Sequence, residues 1–144
     1  MGEKSPEIKE KMMKIRKNVP LMTTDNLDAQ KKFYGKHFGF RPTFEGDTYL
    51  GLISEDGACE IAFMKPMGCC ASAASGAGLT FCLEVDDVDL EYNRLEKAGM
   101  AFVQPPKDNP WGDRSAIALD PIGISVYIYK PIPPSPEFAG QFKE

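Results

Sequence analysis

From Ile15 to Met22 the pattern is strand-like, with Val19 and Leu21 two apart as on one face of a strand. The period then changes. Leu27, Gln30, Tyr34 and His37 recur at helical spacing with Phe33 and Phe38 beside them, and Asp25 stands where a capping carboxylate accepts an early backbone N–H. Asp28 favours the positive helix end and Gly39 supplies a stop, so a helix is predicted over residues 26–38. Short apolar runs follow at residues 40–44, 49–54 and 58–64, divided by Glu45-Gly46-Asp47 and Glu55-Asp56-Gly57. Turn residues at such short intervals predict antiparallel hairpins.

After a stretch of small residues the pattern starts again. Residues 79–85 read as a strand, and Asp86-Asp87-Val88-Asp89 echoes Asp25-Asn26-Leu27-Asp28. Val88, Tyr92 and Leu95 then mark a helical face that stops at Gly99, before strand candidates at residues 101–104, 115–119 and 124–129. Lys65-Pro66 and Lys130-Pro131 end the two halves alike, at an overall offset of about 61 to 66 residues. The organisation expected is a charged lead (1–14), a first βαβββ module (15–66), a flexible linker (67–78), a second βαβββ module (79–131) and a Pro-rich tail (132–144) running extended over the surface. Together they make one α+β structural domain.

Composition narrows the partners. Seventeen basic and twenty-one acidic residues give a formal charge of −4, which offers little attraction for a phosphate backbone, so no nucleic acid is expected. No apolar run approaches the ~20 residues of a spanning helix, so no membrane partner is expected either. The first eighteen residues carry charge without an apolar signal region, and a cytoplasmic location follows as an expectation. Cys59, Cys69, Cys70 and Cys82 lack CxxC spacing and are expected to be reduced thiols.

In this order and spacing the chain resembles the vicinal oxygen chelate superfamily, which includes glyoxalase I, extradiol dioxygenases, fosfomycin-resistance enzymes and bleomycin-resistance proteins. The carriers are Asp25-Asn26-Leu27-Asp28, Phe33-Tyr34, Phe38-Gly39-Phe40, the run from Phe81 to Val88, Pro110-Trp111-Gly112-Asp113-Arg114 and Asp120-Pro121-Ile122-Gly123. The resemblance implies a cup-shaped curved sheet made by two modules, often completed in a homodimer, with the ligand in the cup.

Strand alternation then assigns side chains to the cup. Ser125, Tyr127 and Tyr129 face it while Ile124, Val126 and Ile128 pack on the helices; Glu60, Ala62 and Met64 face it opposite Cys59, Ile61 and Phe63. Thr80, Cys82 and Glu84 face it opposite Leu79, Phe81 and Leu83, and in the first strand Asn18, Pro20 and Met22 face it opposite Val19 and Leu21. At the positions where metal-binding relatives carry ligands, this chain has Asn18, Thr80 and Tyr127, and Glu60 alone matches a carboxylate position of the glyoxalase branch. Zinc or non-haem iron needs three or four suitable ligands. No metal and no cofactor are therefore expected.

Other chemistry finds little support. The only histidine, His37, belongs to a helix end or core edge, and a Ser or Cys nucleophile lacks a base within reach. An acid and base pair from Glu60 and Glu84 requires both in one cup, and two surface carboxylates are the simpler reading. No catalytic residue is assigned.

Binding suits the chain better. Trp111 follows the Pro-rich segment 104–110, expected to overhang the cup as a stiff lid with a large apolar surface, although packing in the core or at a dimer interface would use the same side chain. Arg114 could pair with an anionic ligand through its planar fork, or bridge an acidic residue of the protein. The site expected is thus Asn18, Glu60, Thr80, Trp111, Arg114 and Tyr127, holding a small-molecule ligand in a homodimer whose partner covers the exposed sheet face. The function that follows is metal-independent binding that sequesters a toxic or antibiotic compound. A glyoxalase-like lyase or isomerase, or a dioxygenase-related enzyme, with a nonstandard site, and a non-catalytic interaction or regulatory module, are the alternatives.

Overall fold

The computed structural model describes residues 12–66 and 78–143. The first half runs β1 (Leu21–Thr23), α1 (Leu27–Phe38), β2 (Arg41–Glu45), β3 (Tyr49–Ile53) and β4 (Glu60–Met64). The second runs β5 (Thr80–Glu84), α2 (Val88–Lys97), β6 (Phe102–Asn109), β7 (Asp113–Leu119) and β8 (Ser125–Pro131), followed by the short helix α3 (Pro136–Ala139). Each half forms its own four-stranded sheet, ordered β1-β4-β3-β2 and β5-β8-β7-β6. In both, the first strand pairs parallel with the last and the remaining pairs are antiparallel. The repeated α+β arrangement is the one the sequence pattern predicts. The linker lies almost wholly outside the described residues, as do Cys69 and Cys70.

The helices start and stop for local reasons. Asn26, rather than Asp25, caps α1 by accepting from the Ala29 N–H, and Asp87 caps α2 by accepting from Leu90. Gly39 closes α1 in the left-handed conformation at φ 72°, returning its N–H to Gly35.

Burial joins the halves. Tyr34, Leu52, Ile61 and Phe63 centre one cluster, which Ile124 enters from the second half. Val88, Leu95, Ala116, Val126 and Ile128 centre the other. Phe33 and Phe38 of α1 pack against both clusters. Asp120, buried just before β8, accepts from the Gln30 amide and the Tyr34 hydroxyl of α1, each at 2.9 Å, and from the backbone of Ile122 and Ile124.

Three expectations need correction. The first strand covers only Leu21–Thr23, and its register sets Leu21 beside Ala62 and Met22 beside Phe63. Met22 therefore enters the core and Leu21 takes the open face, the reverse of the predicted alternation. Proline has no backbone N–H, so the strand starts after Pro20 and parity counted across it is lost. The segment 104–110 is mostly strand: β6 extends to Asn109. Its prolines sit on an edge strand with register shifts between Phe102 and Lys107, where a missing donor is tolerated. Trp111 consequently occupies the β6–β7 hairpin turn. Finally, the tail contains α3 and is not extended throughout.

Candidate functional site

In β8, Val126 and Ile128 are buried with Val88 and Leu95 of α2, which turns Ser125, Tyr127 and Tyr129 to the opposite side of the sheet. The register sets Thr80, Cys82 and Glu84 of β5 beside these three residues, and Ile117 and Leu119 of β7 beside Tyr127 and Ser125. This face is open: Leu119 is 45% exposed, and Thr80, Cys82 and Glu84 are exposed. An apolar and aromatic surface with a few polar groups is the usual composition of a small-molecule site.

At one end of the face the polar groups are linked. The Tyr127 hydroxyl donates to Asp113 Oδ2 at 2.7 Å, and the Trp111 indole N–H lies 3.4 Å from that hydroxyl. The Asn109 amide donates to Asp113 Oδ1 at 2.8 Å and to Ser115 Oγ at 2.9 Å. Burial pushes the Tyr127 phenol up from its ordinary range, and the Asp113 carboxylate adds to this against hydrogen bonds from Ser115 and Trp111. Tyr129 is raised by burial first and by the Glu84 carboxylate next. Both phenols thus stay neutral donors at ordinary pH. Asp113 and Asn109 were not anticipated as site residues, although Asp113 shares its parity with Ser115 and Ile117.

Trp111 and Tyr127 are therefore brought together. Asn18 and Glu60 meet Thr80, with Cys59 and Cys82, around a crevice of about 240 Å³ between the two halves, and of these Thr80 and Cys82 also belong to the open face that carries Tyr127. Asn18 reaches it from the segment leading into β1. Glu60 is 3.0 Å from Lys17 Nζ, which offsets its charge, and Glu84 does not line that crevice. An acid and base pair from these two glutamates is not assembled within the chain.

Arg114 leaves the candidate site. It shares the parity of Ala116 and Ala118, and so lies on the helix side of β7, where it pairs through two bonds of 2.8 Å with Asp89 of α2 and at 3.0 Å with Asp108. Its fork holds the Asp89 carboxyl below the ordinary range. An internal bridge, not an anion site, is what this residue builds. His37 is buried at the end of α1 against Phe33, its Nδ1 without a hydrogen-bond partner among the described residues.

The donor set does not fit a catalytic metal. An amide (Asn18), an alcohol (Thr80) and a phenol (Tyr127) replace the imidazoles and carboxylates that zinc or iron takes, and Glu60 is engaged by Lys17. Among the described residues no three His, Cys, Asp or Glu side chains converge. Nor, among them, is any helix long and apolar enough to cross a membrane.

Comparison with known proteins agrees with the paired modules. A structure described as a glyoxalase/bleomycin resistance protein/dioxygenase from Nocardioides aligns with a TM-score of 0.68 and 20% identity over 83% of this chain and 87% of its own. The bleomycin resistance determinant encoded on transposon Tn5 aligns at 0.64 and 20% identity, over 81% and 98%. TnmS3, an antibiotic binding protein from Streptomyces sp. CB03234, aligns at 0.64 and 26% identity, over 83% and 99%. No curated protein sequence matches this chain. The family model described as Glyoxalase/Bleomycin resistance protein/Dioxygenase superfamily matches residues 18–128, spanning both modules and the turn that carries Trp111, and to that superfamily the chain belongs.

Proposed function

We propose that this protein binds a small molecule on the open face of the second sheet and sequesters it, in the cytoplasm, without changing it chemically. The observation that carries the reading is the link from Trp111 to Tyr127 to Asp113 beside an uncovered face bearing Ile117, Leu119 and Tyr129. Aromatic side chains supply apolar contact, the phenols and the carboxylate orient polar groups, and the residues at the family's metal positions do not fit a metal. Similarity to an antibiotic binding protein supports a toxic or antibiotic compound as the ligand.

A second copy of the chain completes the site in this reading. The two sheets are separate within the chain, leaving β1 and β5 as edges that a partner's strands can approach. Asn18 and Glu60 lie by the β1 edge and would then border the same cup as Thr80 and Tyr127. The test is a thermal-shift screen of aromatic compounds, with mass spectrometry of each hit after incubation and sedimentation of the protein at micromolar concentration. Stabilisation by a compound recovered unchanged, with a dimer in solution, is expected. Turnover of the hits would overturn sequestration, and a monomer that still binds would overturn the shared cup.

A further inference from the structure

The tail beyond β8 is tied to the turn that carries Trp111. Ile132 N–H donates to Gly112 O and Ser135 N–H to Pro110 O, both at 2.9 Å, so the segment is fastened on either side of the indole. A Cβ on Gly112, whose φ is 114°, would stand 3.2 Å from Pro134 and 3.4 Å from Phe142, which shows how closely the tail is applied. The rings are nevertheless left uncovered. Phe138 meets Trp111 edge-on, with centroids 6.5 Å apart and planes at 81°, and the two border a cleft of about 310 Å³ with Gln141 and Phe142. Trp111 is 46% and Phe142 63% exposed. A tail that served only to cover Trp111 would bury these faces.

Asp113 supplies a second, independent feature. Its two oxygens accept from neutral donors, the Asn109 amide and the Tyr127 hydroxyl, and among the described residues no cation pairs with it. Glu84 adds negative charge to the same face, while Lys107, on the edge strand beside Ser115, is its exposed basic residue. Asp113 does not line the cleft, but it stands one hydroxyl away from the indole that does, since Tyr127 bonds to Asp113 and lies 3.4 Å from the Trp111 N–H, and a carboxylate with uncompensated charge that near to aromatic rings favours a cation.

We infer that the C-terminal segment is part of the ligand site, and that its cleft with Trp111 takes a planar aromatic cation, with Asp113 as the counter-charge. This rests on the small-molecule reading above and adds a ligand class and the tail as an aromatic wall. The probes are proflavine, a planar aromatic cation, and anthraquinone-2-sulfonate, a planar aromatic anion, titrated into the full chain by calorimetry and by Trp111 emission. Proflavine should bind and quench the indole, with the anion at least about tenfold weaker. Phe138→Ala with Phe142→Ala should weaken proflavine at least about tenfold, and Asp113→Asn should remove the preference for the cation. Phe142→Ala alone, at an exposed ring, serves if the double variant loses its fold.

Equal proflavine affinity in the tail variants would overturn the role of the tail while leaving binding on the sheet intact. A stronger anion, or no proflavine binding by a protein that binds hits from the aromatic screen, would overturn the cation assignment. Failure of both probes and of the whole screen would remove the small-molecule reading itself.

Discussion

The hydroxyl of Tyr34 donates to the carboxylate of Asp120 at 2.9 Å, so the helix of the first module is hydrogen-bonded to the turn that opens the last strand of the second. Tyr34 is 1% exposed, and burial, then the Asp120 charge, push its phenol well above the ordinary range. The bond therefore holds a neutral donor against a buried acceptor. Tyr34→Phe should lower stability by about 1.5 to 3 kcal/mol, the usual cost of removing a buried hydrogen bond to a charged group. Asp120→Ala should cost more, because the Gln30 amide and the Ile122 and Ile124 backbone donors lose their acceptor as well. Urea denaturation of both variants checks the ranking.

His37 makes stability depend on pH. Burial, and then the Lys36 and Arg94 charges, lower its pKa from the ordinary 6.5, so the unfolded chain takes up the proton more readily than the folded one. Stability from this residue is complete above pH 6.5 and is lost as pH falls from there through the lower folded value. The melting temperature should decline as pH falls below 6.5, and His37→Leu should flatten that decline. An unchanged slope in the variant would assign the effect to other groups.

The two modules were legible because the repeat is written in hydrophobic period: Tyr34 and Leu95 hold equivalent helix positions, and both are buried. The faces of β4, β5 and β8 were legible for the same reason. Parity failed at β1, where Pro20 interrupts the strand, and Arg114 was misplaced because β7 begins at Asp113 rather than Ser115. Counted from Asp113, Arg114 shares the helix-facing parity of Ala116. Phe138 and Phe142 carried no periodic signal, since the contact of the tail with Trp111 depends on how residues distant in sequence fold back.

Arg114→Ala separates the helix side of β7 from its open side. The variant loses a bidentate pair with Asp89 and a bond to Asp108, all partly exposed, so the stability cost should be about 1 kcal/mol or less. Its affinity for any hit from the aromatic screen should match the unaltered chain. A tenfold loss would return Arg114 to the site and require β7 to present the guanidinium to the ligand.

Trp111→Ala tests the site at its rim. The indole N–H lies 3.4 Å from the Tyr127 hydroxyl and the Phe138 ring stands nearly perpendicular to the indole, yet Trp111 remains 46% exposed, so truncation should cost well under the ~3 to 5 kcal/mol of a core tryptophan. Ligand affinity should fall by about 2 kcal/mol or more, close to thirtyfold, if the ring is an anchor. As the only tryptophan in the sequence, it also gives a single emission signal, which should change when an aromatic compound enters. Tyr127→Phe refines the test by removing the bond to Asp113 while keeping the ring. A smaller loss in Tyr127→Phe than in Trp111→Ala would assign most of the affinity to aromatic contact. A large fall in melting temperature for Trp111→Ala, with affinity unchanged in the folded protein, would make the indole a support for the tail and move the ligand down the sheet toward Cys82 and Leu119.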